Sequence, residues 1–357
     1  MSRYAIQYVN PESEFLENAW YVAARSAVVQ DRLFPVRMLG EDLLLFRDAE
    51  GQVAALEDAC PHRKLPLSMG RLENGIVSCG YHGLCFDRAG RCVNAPTQDK
   101  IPSNAVVRSY PSVERYGLVW VWMGDPELAD VADIIEFPDY GAAGWDLTDG
   151  GMLECRCHYL YLLDNLLDPS HVAWVHETSF ASAGTDDVPL VIEDTDSGVL
   201  VSRWIRDIEP PPYYAAMLPF DGRVDRLQYY EAVFPSLAIN MSTYARAGEG
   251  GDLEHLPEDT YRMRSYHFIT PIDADSTRYH WFQHFNTGVG DPEVRMFLNE
   301  GARSAFEEDR VVLEAVHSGM KDPSRPPLDL QLDIGARKFR KKLAAMINAE
   351  KETARAG

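Results

Sequence analysis

The chain is expected to be an α+β protein: an all-β N-terminal domain followed by an antiparallel sheet with covering helices. Three observations carry this expectation. In the first third, short apolar runs alternate with turn residues. Leu43-Leu44-Leu45-Phe46-Arg47-Asp48 and Val53-Ala54-Ala55-Leu56 flank Ala49-Glu50-Gly51-Gln52 as a hairpin, and residues 86–93 read as strand, turn and strand. Further on, the apolar run 159–163 and the stretch 306–314 have helical character, whereas 199–204 and 279–285 read as strands.

The domain boundary follows from the same patterning. Gly117-Leu118-Val119-Trp120-Val121-Trp122-Met123 is a strongly apolar strand that Gly124-Asp125-Pro126 stops. The polar stretch after it reads as an irregular connection, which gives domains at 1–126 and 139–357 with a linker at 127–138. Pro210-Pro211-Pro212 marks a loop between strands. Near the end, Arg337, Lys338, Arg340, Lys341 and Lys342 lie on an expected terminal helix as a solvated face, one that in an oligomer meets acidic neighbours. The last few residues are expected to lack structure.

Composition narrows the function. With 357 residues the chain is long enough for two sizeable cores. A formal charge of −21 argues against nucleic-acid binding, which needs basic surface. It suits equally a redox partner with a basic docking patch or a merely solubilising surface. The absence of a basic-then-apolar leader and of an eighteen-residue apolar run gives the expectation of a cytoplasmic protein with no membrane association. Four of the six cysteines, Cys85, Cys92, Cys155 and Cys157, are expected as buried free thiols in a reducing compartment.

The other two cysteines belong to the most informative motif. Cys60-Pro61-His62 and Cys79-Gly80-Tyr81-His82 each offer one thiolate and one imidazole. A [2Fe-2S] cluster of the Rieske type takes two of each, Cys60 and Cys79 on one iron and His62 and His82 on the other, and the neutral imidazoles raise its reduction potential. A Cys2His2 zinc site uses the same ligand types, but finger sites pair Cys with Cys and His with His along the chain. Here each loop contributes one of each, as two unlike irons require.

With Arg63, Gly83, Leu84, Phe86, Asp87, Gly90 and Pro96 around it, this motif resembles the Rieske domain of ring-hydroxylating and demethylating oxygenases. The opening Asn18-Ala19-Trp20-Tyr21-Val22-Ala23 is similar to one branch, the vanillate O-demethylase oxygenases that also include dicamba monooxygenase. The resemblance runs from about Phe15 to about Val316. A second constellation fits it: Asn165, Asp168 and His171, then His176. Two histidines and a carboxylate make the facial triad of non-haem Fe(II) oxygenases. Residues five apart stand about 140° apart on a continuous helix, so the helix must break, and Asp168-Pro169 supplies the reason. An amphipathic helix with ordinary histidines is the alternative.

By resemblance, His171 and His176 are iron ligands, and Asp168, with Asn165 in the same motif, is the bridging aspartate that hydrogen-bonds a ligand imidazole and a cluster histidine of the neighbouring subunit. The third ligand is Asp309 by the family's placement, with Glu308 in reserve. The resemblance further implies a head-to-tail homotrimer and a separate NADH-dependent flavin and [2Fe-2S] reductase. The chain itself has no Gly-x-Gly-x-x-Gly fingerprint for a nicotinamide. O2 is the co-substrate, and the implied reaction is O-demethylation of a methoxylated aromatic acid. Cis-dihydroxylation of an aromatic carboxylate shares every metal ligand, and a non-enzymatic electron carrier is the reading from another class. His267, Arg246 and Arg264 are the candidates for holding the substrate, with Tyr279, His280 and Trp281 as possible lining residues.

Overall fold

The computed structural model describes residues 15–356 apart from 97, 178, 179, 181–187, 323, 325 and 326. Two compact units emerge, one of Phe15–Glu136 with Thr270–Ala274, the other of Phe137–Ile269 with the chain from Asp275 onward. Most of the stretch expected as a linker thus belongs to the first unit. Asp125 and Asp130 cap two single 3-10 turns, accepting from the amides of Glu127 and Ala132. Trp20 Nε1 donates to the Asp130 carbonyl at 2.8 Å. Aspartates that look like loop polarity in the sequence act as helix caps.

Among the described residues the first unit holds eleven strands: β1 (Trp20–Arg25), β2 (Phe34–Met38), β3 (Glu41–Arg47), β4 (Val53–Glu57), β5 (Arg71–Glu73), β6 (Ile76–Ser78), β7 (Cys85–Phe86), β8 (Cys92–Asn94), β9 (Ser109–Tyr110), β10 (Ser112–Arg115) and β11 (Leu118–Trp122). They form three sheets ordered β1-β11-β10, β2-β3-β4-β9 and β5-β6-β7-β8. β11 is buried at all five positions, as its unbroken apolar run requires. Leu44, Phe46, Leu56, Val77 and Phe86 pack a core on which Cys60 and Cys79 also sit. At Gly90 the turn into β8 demands φ +74°, and a Cβ there would lie 2.0 Å from the Val107 carbonyl oxygen, so only glycine fits.

The second unit is one antiparallel sheet of eight strands: β12 (Asp146–Leu147), β13 (Gly151–Cys155), β14 (Val191–Asp194), β15 (Gly198–Ile208), β16 (Val224–Val233), β17 (Leu237–Arg246), β18 (Tyr261–Pro271) and β19 (Thr277–Phe285). The order is β12-β19-β18-β17-β16-β15-β14, with β13 also on β19. Its helices are α1 (Tyr159–Leu167), α2 (Val172–Val175), α3 (Pro212–Ala215), α4 (Pro292–Met320) and α5 (Ile334–Ala356). The triple proline is followed by helix rather than by plain loop, with Pro212 at the first position of α3, where its missing N–H costs nothing. Asp291 caps α4 and accepts from the Glu293 amide at 2.9 Å. Leu298, Ala302, Ala305, Asp309, Leu313 and His317 are the buried residues of α4, spaced by three or four. Among the described residues no helix is long and apolar enough to cross a membrane.

The basic run of α5 is a plain solvated face only in part: Arg337 and Lys341 are exposed, but the other three meet acids of distant elements. Arg340 is 7% exposed and forms a two-pronged pair with Asp164 of α1. Lys338 and Lys342 straddle Asp194 of β14 at 2.8 and 2.9 Å. The acidic partners lie in the same chain and far away in sequence, which a local charge pattern does not reveal. The final residues, expected without structure, continue α5 to Ala356. Because burial of an unpaired charge is costly, Arg340→Leu should destabilise the protein by about 3–5 kcal/mol, and adding Asp164→Leu should recover much of that loss. Denaturant melts of the two variants check this; an unharmed single variant would show that the pair does not anchor α1.

Candidate metal centres and substrate cavity

The two cysteine loops are built alike. The Cys60 amide donates to the Leu65 carbonyl at 2.9 Å and the Lys64 amide back to the Cys60 carbonyl at 2.8 Å. Cys79 repeats this with Leu84 at 2.8 Å and Gly83 at 3.1 Å. Lys64 and Gly83 both take positive φ, 57° and 74°, to close their turns. The thiols of Cys60 and Cys79 are buried, whereas His62 is exposed and His82 half-buried. Their Nδ1 atoms approach to 3.2 Å. Burial pushes the Cys60 thiol up, while the amides of His62 and Arg63 act in the opposite direction by hydrogen bonding toward its sulfur. Two thiols on the inner side and two imidazoles on the outer side suit a cluster with unlike irons. Of the other four cysteines, Cys155 and Cys157 are buried free thiols as expected, but Cys85 and Cys92, on the short strand β7 and the edge strand β8, are only half-buried.

In the second unit α1 ends at Asp168, whose extended backbone (φ −104°, ψ 104°) is what a residue before proline prefers. The chain resumes as the single turn α2, with His171 at its start and His176 just past its end. Both beyond that break and at opposite ends of α2, the two imidazoles face a common point. His171 Nε2 lies 3.6 Å and His176 Nε2 3.3 Å from Asp309 Oδ1. The three side chains keep one ligand atom each within 4.8 Å of one another, the one such group among the described residues. Asn165 Nδ2 donates to the same Asp309 oxygen at 3.2 Å.

The second nitrogens are taken. His171 Nδ1 donates to the Asp168 carbonyl at 2.5 Å and His176 Nδ1 to Glu308 Oε2 at 2.7 Å. Each imidazole therefore presents Nε2, the arrangement a metal ligand needs. Burial would lower the His176 imidazole, but Asp309 and Glu308 raise it above its ordinary value. The neighbouring acids of α4 part by about 100° per residue: Glu307 turns out to Arg310 at 2.7 Å, Glu308 backs His176, and Asp309 points inward, 4% exposed. Asp168 differs from expectation. Its carbonyl, not its carboxylate, holds His171, because Oδ1 accepts from the Ser170 amide at 2.7 Å in the turn that Pro169 begins.

A cavity opens beside this group, floored by β16, β17 and β18. His267 lines it, 1% exposed, with Nδ1 2.6 Å from the Tyr279 hydroxyl and Nε2 without a hydrogen-bond partner. Burial lowers its pKa to about 3, so it is neutral. Arg264 and Arg246 are not in the cavity wall. Side chains alternate across a strand, so Met263, Ser265 and His267 face the cavity and Arg264 the opposite side, where it meets Asp139 at 2.5 Å. Arg246 ends β17 at the surface, paired with Asp259 at 3.0 Å. Tyr279 and Trp281 stand behind His267 against Phe306, His280 lies on the other face, and Gln283 of the same strand lines the cavity. The cation that does line it is Arg226 of β16, 2% exposed. It was legible in principle, since Arg226 and Tyr230 share one pleat face with residues of a buried strand.

Residues 19–111 match the Rieske [2Fe-2S] domain, and residues 155–349 the vanillate O-demethylase oxygenase C-terminal domain. A toluene-4-sulfonate monooxygenase system iron-sulfur subunit of Comamonas testosteroni is 34% identical over 94% of this chain and 98% of its own. A vanillate O-demethylase oxygenase subunit from a Pseudomonas strain is 33% identical over 95% and 97%. The crystal structure of dicamba monooxygenase bound to 3,6-dichlorosalicylic acid superimposes with a TM-score of 0.88 at 31% identity, covering 95% of this chain and 99% of that one. The zinc and electron-carrier alternatives fall with these matches. The protein is an oxidoreductase that uses a [2Fe-2S] cluster and mononuclear iron, and the chain belongs to the Rieske oxygenases, as a monooxygenase oxygenase component with a vanillate O-demethylase C-terminal domain.

Proposed function

We propose that Cys60 and Cys79 hold one iron of the Rieske cluster and His62 and His82 the other, and that His171, His176 and Asp309 hold Fe(II) as a facial triad. The single observation behind this is the convergence of two Nε2 atoms on Asp309 Oδ1, with both second nitrogens already engaged. Held by these three side chains, Fe(II) would supply O2 chemistry in which one oxygen atom enters a substrate C–H bond and the other leaves as water, at the expense of two electrons and two protons. The residues around it position the reaction. Asn165 orients Asp309, Glu308 fixes the His176 tautomer, and the cavity admits the substrate beside the triad.

The reaction is O-demethylation of a methoxylated aromatic acid. Oxygen inserted into the methyl carbon of an aryl ether gives a hemiacetal, which breaks down to a phenol and formaldehyde. His267 offers Nε2 to the bound substrate. Electrons come from a separate NADH-dependent flavin and [2Fe-2S] reductase in the cytoplasm. Three copies assemble head to tail, so that the outer imidazole edge of one cluster reaches the next subunit near Asp168. That residue lines a surface hollow with Tyr161, Asn165, Leu313 and Val316, which gives an incoming edge a place to seat.

A single turnover of the reduced, iron-loaded protein with a panel of methoxylated, methylated and dicarboxylated benzoates should release formaldehyde, detected with the phenol by mass spectrometry. Addition of two hydroxyls to the ring would replace this reading by dihydroxylation. His171→Ala should abolish turnover and mononuclear iron content while the Rieske absorption stays; retained activity removes His171 from the ligands. Asp168→Asn should keep both metals but slow cluster reoxidation during turnover by about 10–100-fold, and wild-type reoxidation kinetics would leave the electrons another route.

A further inference from the structure

Resting on the demethylase reading, we infer that Gln283 is a specificity-determining residue: its side-chain oxygen accepts a hydrogen bond from a hydroxyl on the substrate ring, so the preferred methoxylated acid also carries a ring hydroxyl. The sheet sets its position. Tyr230 of β16 pairs with Asn240 of β17, and Asn240 with Ser265 of β18. Gln283 of β19 extends this row, its Nε2 donating to Ser265 Oγ at 3.1 Å. All four residues line the cavity that His171, His176 and Asp309 also line. The row is therefore a polar rung across the cavity floor. Its neighbours on the same face of β18 are Met263 and His267.

Gln283 is 3% exposed, and its backbone is fixed. The Thr148 amide donates to the Gln283 carbonyl at 2.9 Å, and Thr148 Oγ1 accepts from the Gln283 amide at 3.0 Å. With Nε2 engaged by Ser265, Oε1 is the end of the side-chain amide that has no hydrogen-bond partner among the described residues. Buried polar atoms are as a rule paired, and an unmatched one is costly, so this acceptor fits a donor that arrives with the ligand. An ionised carboxylate or sulfonate has no proton to give, and a methoxyl group has none either. A ring hydroxyl has one. His267 Nε2, about 7 Å away along β18, likewise lacks a partner among the described residues. The two atoms differ in what they accept: a neutral imidazole serves either kind of group, whereas Gln283 Oε1 serves only a donor.

The test uses the iron-loaded holoenzyme and its Gln283→Met variant, which keeps the length of the side chain and removes the amide, both checked for cluster absorption and iron content. Formaldehyde release is measured with the isomers of hydroxymethoxybenzoate, each beside the methoxybenzoate that lacks the hydroxyl. In the wild type the best hydroxylated acid should exceed its plain counterpart in kcat/KM by about 100-fold. Gln283→Met should lose most of that ratio while the plain acid stays within a few-fold of its wild-type value. A wild type that handles the plain acids as well as every hydroxylated one overturns the inference and leaves demethylation standing. So does an unchanged ratio in Gln283→Met. Calorimetric binding of benzoate and the three hydroxybenzoates to the same proteins reads Gln283 without turnover. If no methoxybenzoate releases formaldehyde, yet a hydroxybenzoate binds the wild type more tightly than benzoate and loses that advantage in Gln283→Met, the demethylase reading fails and the hydroxyl site stands. Equal binding of benzoate and all three hydroxybenzoates to the wild type removes the site.

Discussion

A carboxamide six residues before an imidazole stands about 120° from it on a continuous helix, so Asn165 and His171 can meet on one carboxylate only if the helix stops between them. Asp168-Pro169 imposes that stop. It leaves Asn165 on α1, aimed at Asp309, and frees the Asp168 carbonyl to hold His171 Nδ1. A single turn, α2, then carries the chain to His176. Because α2 is a single turn that the non-helical backbone of His176 (φ −110°, ψ 38°) ends, the imidazoles at its two ends both reach Asp309. The buried stripe of α4 and the Arg340–Asp164 pair both serve this point, since they fix the two helices whose side chains meet there.

Fixed partners for the second imidazole nitrogens matter as much as the ligands. A carbonyl at His171 and a carboxylate at His176 are unequal acceptors, and Glu308 makes the His176 ring the more electron-rich of the two. The two imidazoles would therefore differ as donors to a metal bound between them. The same economy of adjacent acids on α4 explains why three carboxylates in a row do not compete for the metal: helical rotation sends one to solvent, one behind the histidine and one into the site.

Much of this was legible in the chain. Alternating ligand types fixed the cluster loops, a proline fixed the break beside the histidines, and alternation fixed the long strands. What sequence could not give was the side of the sheet on which a polar residue ends up. Arg264 and His267 look equally suitable as substrate ligands until their odd and even positions are tied to an inside and an outside, which only the neighbouring strands and α4 define. The basic run of α5 misleads for a related reason, because its partners Asp164 and Asp194 lie about 140–180 residues away in sequence, beyond the reach of any local pattern. The linker misleads because capping aspartates and loop aspartates are the same residue.

Charge is unevenly placed around the cavity. At one end stand two carboxylates, Asp309 and Glu308, which a divalent cation bound by His171, His176 and Asp309 would bring close to neutrality. Arg226, positive at every pH the protein experiences, also lines the cavity, among tyrosines that burial keeps protonated: the pKa of Tyr214 is pushed up to about 12. His267, neutral because it is buried, can donate or accept a hydrogen bond in the same cavity. The strand register thus places a fixed cation, a neutral imidazole and the acidic group around one cavity, and it is this spacing along the sheet that the local sequence pattern does not reveal.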